Sequence, residues 1–346
     1  MTIRLSLLAA ATALFVLAGC KKADTTTPDT AGGADGAAAA QDTVRLQLNW
    51  FPEAEHGGYY QAVAEDTYGA AGLDVTVLAG GPKAPVLEQV AMGRLEFGIV
   101  NADKLLQARS KGMKLVALMA PFQKFPRCII VHADSPYKTI ADLNGATITA
   151  NQTKPYYIFL QQKYDLSNLR AVPYEGGLTS FLNNKDFATQ GYITSEPRAL
   201  EAQGASVRTF MLHEEGFNPY ASVLFTSERY LAEHPDVCRR MVEASQAGWV
   251  SYLADPVAGN TLIQGANEQM KKEPEVLAYG ADHQRALMVT DEAAATNTFG
   301  TMTDHRWQEL RDQLVQLKII DPQIEPITAV FTTKFLKSQD DPAAAE

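Results

Sequence analysis

The stretch that decides the fold is residues 46–62, LQLNWFPEAEHGGYYQA. It begins as a short apolar run typical of a strand, and it ends as the start of a helix. Two aromatics follow the strand and two more open the helix, with carboxylates, one imidazole and a Gly-Gly pair between them. In an open α/β sheet, ligands bind outside the carboxyl ends of the strands. The turn is therefore a candidate site for a flat polar molecule, and the alternative is an ordinary turn whose aromatics pack into the core.

Composition and charge limit the class of protein. The chain has 346 residues, of which 46% are hydrophobic and 20% charged, which is typical of a soluble protein with room for two lobes. A formal net charge of −10 argues against nucleic acid as a partner. Cys128 and Cys238 have no CxxC or His-rich spacing around them, so we expect small buried core residues and no metal site; whether they pair stays open.

The N-terminus has the pattern of a targeting segment. Arg4 precedes an apolar run, residues 7–17, that is too short for a stable membrane span. The sequence Leu-Ala-Gly then stands directly before Cys20, which resembles a bacterial lipobox, whose cysteine is lipidated after cleavage in front of it. We predict a signal peptide over residues 1–19 and a lipidated flexible tether over residues 20–43, since the tether lacks large apolar residues. A plain signal peptide with an incidental cysteine is the alternative.

The rest of the chain alternates between strand and helix patterns. From residue 44 to residue 119 the order β-α-β-α-β-α-β predicts a mostly parallel sheet with right-handed crossovers. A second α/β series starts at residue 146, and the pattern is mainly helical from residue 227 onward. If the C-terminal helices return to the first lobe, the chain crosses between lobes twice and forms a hinge. The predicted division is lobe 1 at residues 44–132 and 224–338, and lobe 2 at residues 133–223.

Several motifs carry a resemblance to a known family. They are the opening LNWFPEAEHGGYYQ and, further on, residues 93–98 (GRLEFG), 142–145 (DLNG), 191–197 (GYITSEP) and 228–235 (ERYLAEHP). Over nearly all of residues 44–320 the chain resembles periplasmic proteins that bind the pyrimidine precursor of thiamine. Yeast-type thiamine pyrimidine synthase is a relative of that family, and nitrate, taurine and alkanesulfonate binding proteins are more distant kin. The resemblance implies an α/β fold of the type II periplasmic binding protein class, with two α/β lobes joined by a two-crossing hinge.

The resemblance also implies site residues. Asn49 and Trp50 match the family's Asn-Trp pair, and Trp50 would stack on a heteroaromatic ring. His56 matches a histidine of the same turn. Glu196 would face the cleft from lobe 2 and accept from an exocyclic amine or ring N–H, although a charge that only stabilises a helix N-terminus is the alternative. The complete predicted ligand-binding set is Asn49, Trp50, His56, Tyr59, Asn101, Tyr157, Glu175, Tyr192 and Glu196.

The groups that the related synthase needs are missing. Its catalytic lysine corresponds to Val100 here and its substrate histidine to Lys104, while residues 217–221 (FNPYA) lack the cysteines of its iron-associated motif. No GxSxG, HExxH or Walker-type motif occurs either. We therefore predict that the protein is not an enzyme and needs no cofactor and no metal.

The leading hypothesis is a solute receptor of an ABC importer, anchored through Cys20 in the cell envelope and facing the periplasm or exterior. Its partners would be permease and ATPase subunits and a small heteroaromatic ligand. A thiamine-type pyrimidine is the favoured ligand, with riboflavin or another flavin, or a sulfonate or nitrate, as alternatives. A synthase-like enzyme and a sensory domain that feeds no importer are the competing functions.

Overall fold

Two five-stranded sheets form the framework of the computed structural model, which describes residues 41–290, 298–323 and 326–338. The predicted signal peptide, Cys20 and most of the predicted tether lie outside the described residues. The strands are β1 (Asp42–Gln47), β2 (Leu73–Leu78), β3 (Phe97–Val100), β4 (Leu115–Met119), β5 (Arg127–His132), β6 (Thr147–Thr149), β7 (Arg170–Val172), β8 (Phe187–Tyr192), β9 (Val207–Met211) and β10 (Val223–Ser227).

The strand order explains why the chain folds into two lobes. The first sheet has the order β2-β1-β3-β10-β4, in which β1 pairs in parallel with β2 and β3 while β10 is antiparallel to both of its neighbours. The second sheet has the order β7-β6-β8-β5-β9, with β6 parallel to β7 and β8 and with β5 antiparallel to β8 and β9. The predicted arrangement of two α/β lobes is confirmed. In each lobe the carboxyl ends of the parallel strands lie at one edge of the sheet.

The chain crosses between the sheets from β4 to β5 and returns from β9 to β10. Phe122 in the first crossing forms an antiparallel bridge with Ala221 in the second, so the two crossings are hydrogen-bonded to each other. The predicted boundary of lobe 1 at residue 132 is wrong, because β5 lies inside the second sheet between β8 and β9. An apolar strand run shows that a strand forms, but it does not show which sheet the strand joins.

Helices cover both sheets. They are α1 (Gly57–Ala64), α2 (Thr67–Ala70), α3 (Val86–Ala91), α4 (Ala102–Ser110), α5 (Pro155–Tyr164), α6 (Thr179–Leu182), α7 (Glu196–Ala202), α8 (Glu228–Glu233), α9 (Pro235–Ala254), α10 (Val257–Ala266), α11 (Glu268–Lys272), α12 (Pro274–Met288) and α13 (Asp304–Gln316). Within the described ranges, no helix is both long enough and apolar enough to cross a membrane.

Helix α12, which the sequence pattern did not single out, contacts both lobes. A Cβ at Gly280 would lie 2.5 Å from the Thr194 carbonyl oxygen of lobe 2 and 2.7 Å from the Ala54 Cβ of lobe 1. Both distances are far shorter than an ordinary van der Waals contact, so only glycine permits this close approach. The C-terminal helices therefore return to the first lobe and also buttress the second.

Close packing of α1 against α9 fixes the helix that follows the 46–62 stretch. A Cβ at Gly58 would overlap the Trp249 ring, and a Cβ at Gly248 would lie 2.6 Å from the Ala62 Cβ. The Trp249 side chain is fully buried and meets the Tyr59 ring edge-on, with the centroids 5.5 Å apart. The Gly-Gly pair therefore serves helix packing in lobe 1.

We predict that Gly248→Ala lowers the free energy of unfolding by about 1–3 kcal/mol, because the added methyl group overpacks the α1–α9 contact. The matched control is Gly265→Ala in α10, where an added Cβ meets no atom within 4 Å. That control should be neutral or stabilising by up to about 1 kcal/mol through helix propensity. Chemical denaturation of the two variants decides the matter; equal stabilities would contradict the packing role given to Gly248.

Candidate functional site

A cavity of about 280 Å³ lies between the lobes, where the carboxyl ends of β1 and β3 face those of β6, β7 and β8. Its wall combines aromatic rings, carboxylates, cations and amides contributed by both lobes. The polar and aromatic lining residues are Asn49, Trp50, Glu53, Glu55, Glu88, Asn101, Lys104, Arg127, Asn151, Lys154, Tyr174, Gln190, Tyr192 and Glu196.

Two aromatic rings face each other across the cleft. Trp50 of lobe 1 and Tyr174 of lobe 2 are stacked, with their centroids 6.4 Å apart and their planes inclined by 15°. A third ring inserted between two parallel rings requires a separation of about 7 Å, twice the optimal carbon–carbon contact. The pair is therefore already close to the spacing of an aromatic clamp, and a small opening of the lobes would admit a flat ring.

Backbone contacts hold the Trp50 side of this clamp. The Gly80 N–H donates to the Trp50 carbonyl oxygen at 2.9 Å, and a Cβ at Gly80 would lie only 2.6 Å from the Trp50 nitrogen. The turn after β2 therefore needs glycine so that it can approach the turn after β1. Asn267 adds a side-chain hydrogen bond from Nδ2 to the Pro52 carbonyl oxygen at 2.8 Å.

A glutamate lies beside each ring of the clamp. The Tyr174 hydroxyl donates to Glu196 Oε1 at 2.5 Å, and the other oxygen, Oε2, accepts from the Tyr192 backbone N–H at 2.7 Å. In lobe 1, the side chains of Trp50 and, across the cleft, of Ser195 interact with the Glu53 side chain and favour its ionised form. Glu196 therefore fixes the orientation of the Tyr174 ring, and Glu53 lies where it interacts with both lobes.

The carboxylates crowd one end of the cleft. Burial, together with the negative charge of Glu196, raises the pKa of Glu53 to about 8. Burial also raises the pKa of Glu55 well above its usual range, with Glu53 and Glu196 adding repulsion. At neutral pH this end of the cleft therefore retains protons. An N–H-rich or cationic ligand edge would satisfy the same oxygens.

Cations gather at another part of the cleft wall. Lys104, Arg127 and Lys154 all line the cavity, and the Arg127 guanidinium lies 4.7 Å from the centroid of the Tyr192 ring. The Asn101 amide of lobe 1 donates to the Tyr192 hydroxyl of lobe 2 at 2.7 Å, which closes the cleft at this point.

The structure places five of the nine predicted ligand-binding residues on the cleft wall. They are Asn49, Trp50, Asn101, Tyr192 and Glu196. The other four lie outside the lining of this cavity, so the structure does not place them where the prediction of direct ligand contact requires. They are His56, Tyr59, Tyr157 and Glu175.

His56 lies behind the cavity wall, in contact with a residue that lines it. Its ring is fully buried, and burial lowers the pKa of His56 to about 3, so the imidazole is neutral. Because Asn49 Oδ1 is an acceptor, the His56 Nε2–H donates to it, with 3.0 Å between the two atoms. His56 therefore orients the Asn49 amide that lines the cleft.

The other three corrections have simple physical reasons. Tyr59 is buried between helices and donates its hydroxyl to the Ser222 carbonyl oxygen at 3.0 Å. Tyr157 is buried in lobe 2, with its hydroxyl 3.4 Å from the Leu169 carbonyl oxygen. Glu175 is exposed to solvent, and it is the preceding residue, Tyr174, that faces the cleft.

Sequence reasoning missed several residues of the cleft wall. They are Glu53, Glu55, Lys104, Arg127, Lys154, Tyr174 and Gln190. For two of them a signal was present, because Arg127 opens a strand whose next four residues are apolar and Lys154 directly precedes the helix that Pro155 begins. A charged residue at such a strand or helix boundary is a candidate for a cleft wall in a sheet of this kind.

Sheet order, hinge and interlobe cleft define the class of protein. The fold is that of the α/β periplasmic binding proteins. One solved structure of this fold is the alkanesulfonate-binding protein SsuA from Xanthomonas axonopodis pv. citri bound to MOPS, with a TM-score of 0.62, 14% identity and coverage of 85% of this chain and 100% of that one. The desulfurization enzyme DszB shares the fold at a TM-score of 0.57 and 15% identity, covering 85% and 97% of the two chains. The fold therefore hosts both binders and enzymes.

The family is narrower than the fold. The model of the family described as NMT1/THI5 like matches residues 53–258, and the chain belongs to that family. It is 29% identical over 256 residues to the riboflavin-binding protein RibY of Chloroflexus aurantiacus, covering 70% of this chain and 72% of that protein. It is 24% identical over 238 residues to the formylaminopyrimidine-binding protein of Halalkalibacterium halodurans, covering 66% and 72%.

The carboxylate crowding predicts a pH-dependent stability. The folded protein holds the Glu53 proton up to about pH 8, whereas the unfolded chain releases it near the ordinary value of 4.5. The folded state therefore binds more protons in this window, and stability falls as pH rises through it. We expect Glu53→Gln to flatten the decline in Tm between pH 5 and pH 9, with Glu88→Gln, an exposed rim carboxylate, as the control. Parallel curves for Glu53→Gln and wild type would contradict the buried, proton-holding position of Glu53.

Proposed function

We propose that the protein is the solute-binding component of an ABC importer and that it captures a small planar nitrogen heteroaromatic in the interlobe cleft. The observation that carries the proposal is the stacked pair of Trp50 and Tyr174, one ring from each lobe, with 6.4 Å between the centroids. A ring held between them contacts both lobes at once. Such a ligand favours the closed arrangement through contacts that the open one lacks.

The chemistry around the clamp favours a ring with amino or N–H groups. Glu53, Glu55 and Glu196 present oxygens beside the two rings. A cationic or N–H-rich ring edge favours the ionised form of these groups, and carboxylates accept strongly from exocyclic amines and ring N–H groups. The cavity of about 280 Å³ lies near the lower end of the roughly 300–1,000 Å³ range of small-molecule sites. This volume favours a one-ring compound, so a thiamine-type aminopyrimidine is the preferred ligand. The formylaminopyrimidine-binding relative supports it.

Riboflavin is the second candidate. The relative named as riboflavin-binding is the more similar of the two, at 29% identity against 24%. The Trp50–Tyr174 pair also suits the face of a larger ring system, provided that the lobes open further than in this structure. A plain sulfonate or nitrate fits less well, because it brings no N–H donor to the end of the cleft where Glu53, Glu55 and Glu196 lie.

A binder accounts for the cleft better than a synthase-like enzyme does. Val100 and Lys104 line the cavity at the positions that correspond to the synthase lysine and histidine. Cys128 and Cys238 are both buried and unpaired, which confirms them as core residues, and neither lines the cleft. A cleft with a ring clamp and no such nucleophile is suited to capture and release. A purified sample supplied with iron and pyridoxal phosphate should make no pyrimidine product.

The clamp is tested by paired substitutions. Trp50→Ala should weaken binding by roughly 2–4 kcal/mol through lost stacking and area burial, while its Tm stays near that of wild type. Tyr174→Phe should cost less, about 0.5–1.5 kcal/mol, since it removes only the hydrogen bond to Glu196. Its matched control is Tyr164→Phe, another tyrosine of lobe 2 that donates to a carboxylate, that of Glu215, away from the cleft.

Isothermal titration calorimetry with an aminopyrimidine and with riboflavin provides the measurement, after a thermal-shift screen of both compounds. A ligand at a hundred times its dissociation constant adds about 2.7 kcal/mol of apparent stability, which makes the screen decisive. If Trp50→Ala bound as tightly as wild type while melting many degrees lower, Trp50 would be a core residue and the site would have to lie elsewhere.

Membrane attachment is the second part of the proposal. The lipobox-like sequence before Cys20 and the polar tether support a lipid-anchored protein that faces the periplasm or exterior and delivers its ligand to permease and ATPase subunits. We predict that Cys20→Ala, or globomycin treatment of cells, shifts the protein from the membrane fraction to the soluble fraction. Cys128→Ala is the control and should leave the distribution unchanged. An unaltered membrane fraction in Cys20→Ala would contradict the anchor.

A further inference from the structure

Three cations converge on the cleft from three separate elements. Lys104 lies in the first turn of α4, Arg127 is the first residue of β5, and Lys154 directly precedes α5. Lobe 1 supplies Lys104 and lobe 2 supplies the other two, so the cluster forms only when the lobes face each other. All three side chains are partly exposed, and that exposure is toward the cavity they line.

Among the described residues, no carboxylate lies at hydrogen-bond distance from the three cations. In the described part of the chain, Arg127 contacts the faces of Tyr192 and Tyr156, at 4.7 and 5.0 Å from the ring centroids, and Lys104 Nζ donates to the neutral amide oxygen of Gln107 at 3.2 Å. No hydrogen bond or ion pair from the Lys154 ammonium to a described residue is present. Surface arginines of the same chain behave differently: Arg45, for example, pairs with Glu96 at 2.7 Å.

The electrostatic environment favours an incoming anion. Burial, together with the charges of Lys104 and Arg127, lowers the pKa of Lys154 to about 8, and the opposing effect of Asp103 is smaller. Helices α4 and α5 also begin at this wall, and neither of their N-cap side chains, those of Asn101 and Lys154, caps its own helix. Helix N-termini stabilise negative charge, so they add to the attraction of the three cations.

The carboxylates and the cations divide the cleft into two ends. Arg127 is the group that both share, since it interacts with Glu55 and Glu196 as well as with Lys154. A ligand that complements this cleft has N–H donors at one end and negative charge at the other. We propose that the natural ligand is an anionic derivative of the heteroaromatic ring, a phosphate monoester or a sulfonate, with the oxyanion held by Lys104, Arg127 and Lys154. This rests on the proposed capture of a flat ring and adds a second recognition element to it.

The experiment compares matched pairs of probes by titration calorimetry. One pair is an aminopyrimidine methanol and its phosphate monoester, and the other is riboflavin and flavin mononucleotide; within each pair only the phosphate differs. We expect the phosphorylated member of the pair whose ring binds to bind about tenfold more tightly or better, with an affinity that falls as salt rises. Lys104→Gln and Lys154→Gln should each weaken the ester by about tenfold and the uncharged alcohol by less than about twofold.

Two control variants distinguish the loss of a positive charge from a structural disturbance of the cleft. Lys154→Arg keeps the cation and should retain most of the preference for the ester. Lys185→Gln removes an exposed lysine of lobe 2 that lies 4.0 Å from Asp134, and it should bind both members as wild type does. The inference is overturned if the alcohol binds as tightly as the ester, or if the lysine variants weaken both members equally; in either case capture of the ring still stands.

A third arm tests the cation cluster without any ring. Wild type and the double variant Lys104→Gln/Lys154→Gln are titrated with inorganic phosphate and with methanesulfonate at constant chloride. Saturable binding of one anion by wild type, lost in the double variant, supports the cluster even if neither ring binds, and it shows which oxyanion is preferred. Identical behaviour of the two proteins toward both anions would overturn the inference.

Discussion

The cleft depends on two glutamates that lie beside its two aromatic rings. Glu196 accepts the Tyr174 hydroxyl at 2.5 Å, and the Glu53 side chain interacts with that of Trp50. The Trp50 ring also meets the Phe51 ring edge-on, with the centroids 5.3 Å apart. The rings are therefore ordered before a ligand arrives, which lowers the entropy that binding must overcome. The same oxygens remain near the ring edges, where a bound heterocycle would present its N–H groups.

Lobe closure involves atoms of the cleft wall itself. The Asn101 amide of lobe 1 donates to the Tyr192 hydroxyl of lobe 2 at 2.7 Å, and the Glu53 side chain interacts with that of Ser195 in lobe 2. Helix α12 supports both lobes from behind, and the two hinge crossings are bridged at Phe122 and Ala221. A ligand between the rings adds to contacts that already favour closure, so the energy difference between open and closed states can remain small. A small difference suits a protein that must also release what it binds.

Much of the fold could be predicted from the sequence because strands and helices alternate with clear turn signals. Trp50 could be predicted to lie at the cleft because it closely follows the end of a strand. The cation cluster could not be predicted, because residues 104, 127 and 154 become neighbours only through the order of two sheets and the facing of two lobes. Arg127 was placed in the wrong lobe for this reason: β5 pairs with β8 and β9, which lie far from it in sequence.

Differences in burial explain why some of the predicted residues line the cleft and others do not. Trp50 and Tyr59 both belong to the 46–62 stretch, yet the first lines the cleft and the second packs against Trp249 of α9. Likewise, Tyr174 and Glu175 are adjacent, and only the turn geometry decides which of them faces inward.

The most direct test uses the tryptophans themselves. The chain has three, and Trp249 and Trp307 are fully buried in lobe 1, so Trp50 is the tryptophan at the cleft. Steady-state fluorescence is recorded during titration with the ligand identified by calorimetry. A ring stacked on Trp50 should quench the emission of wild type saturably, and Trp50→Phe should bind while showing little of that quenching. Full quenching in Trp50→Phe, or binding to wild type with no change in emission, would contradict a ring held between Trp50 and Tyr174.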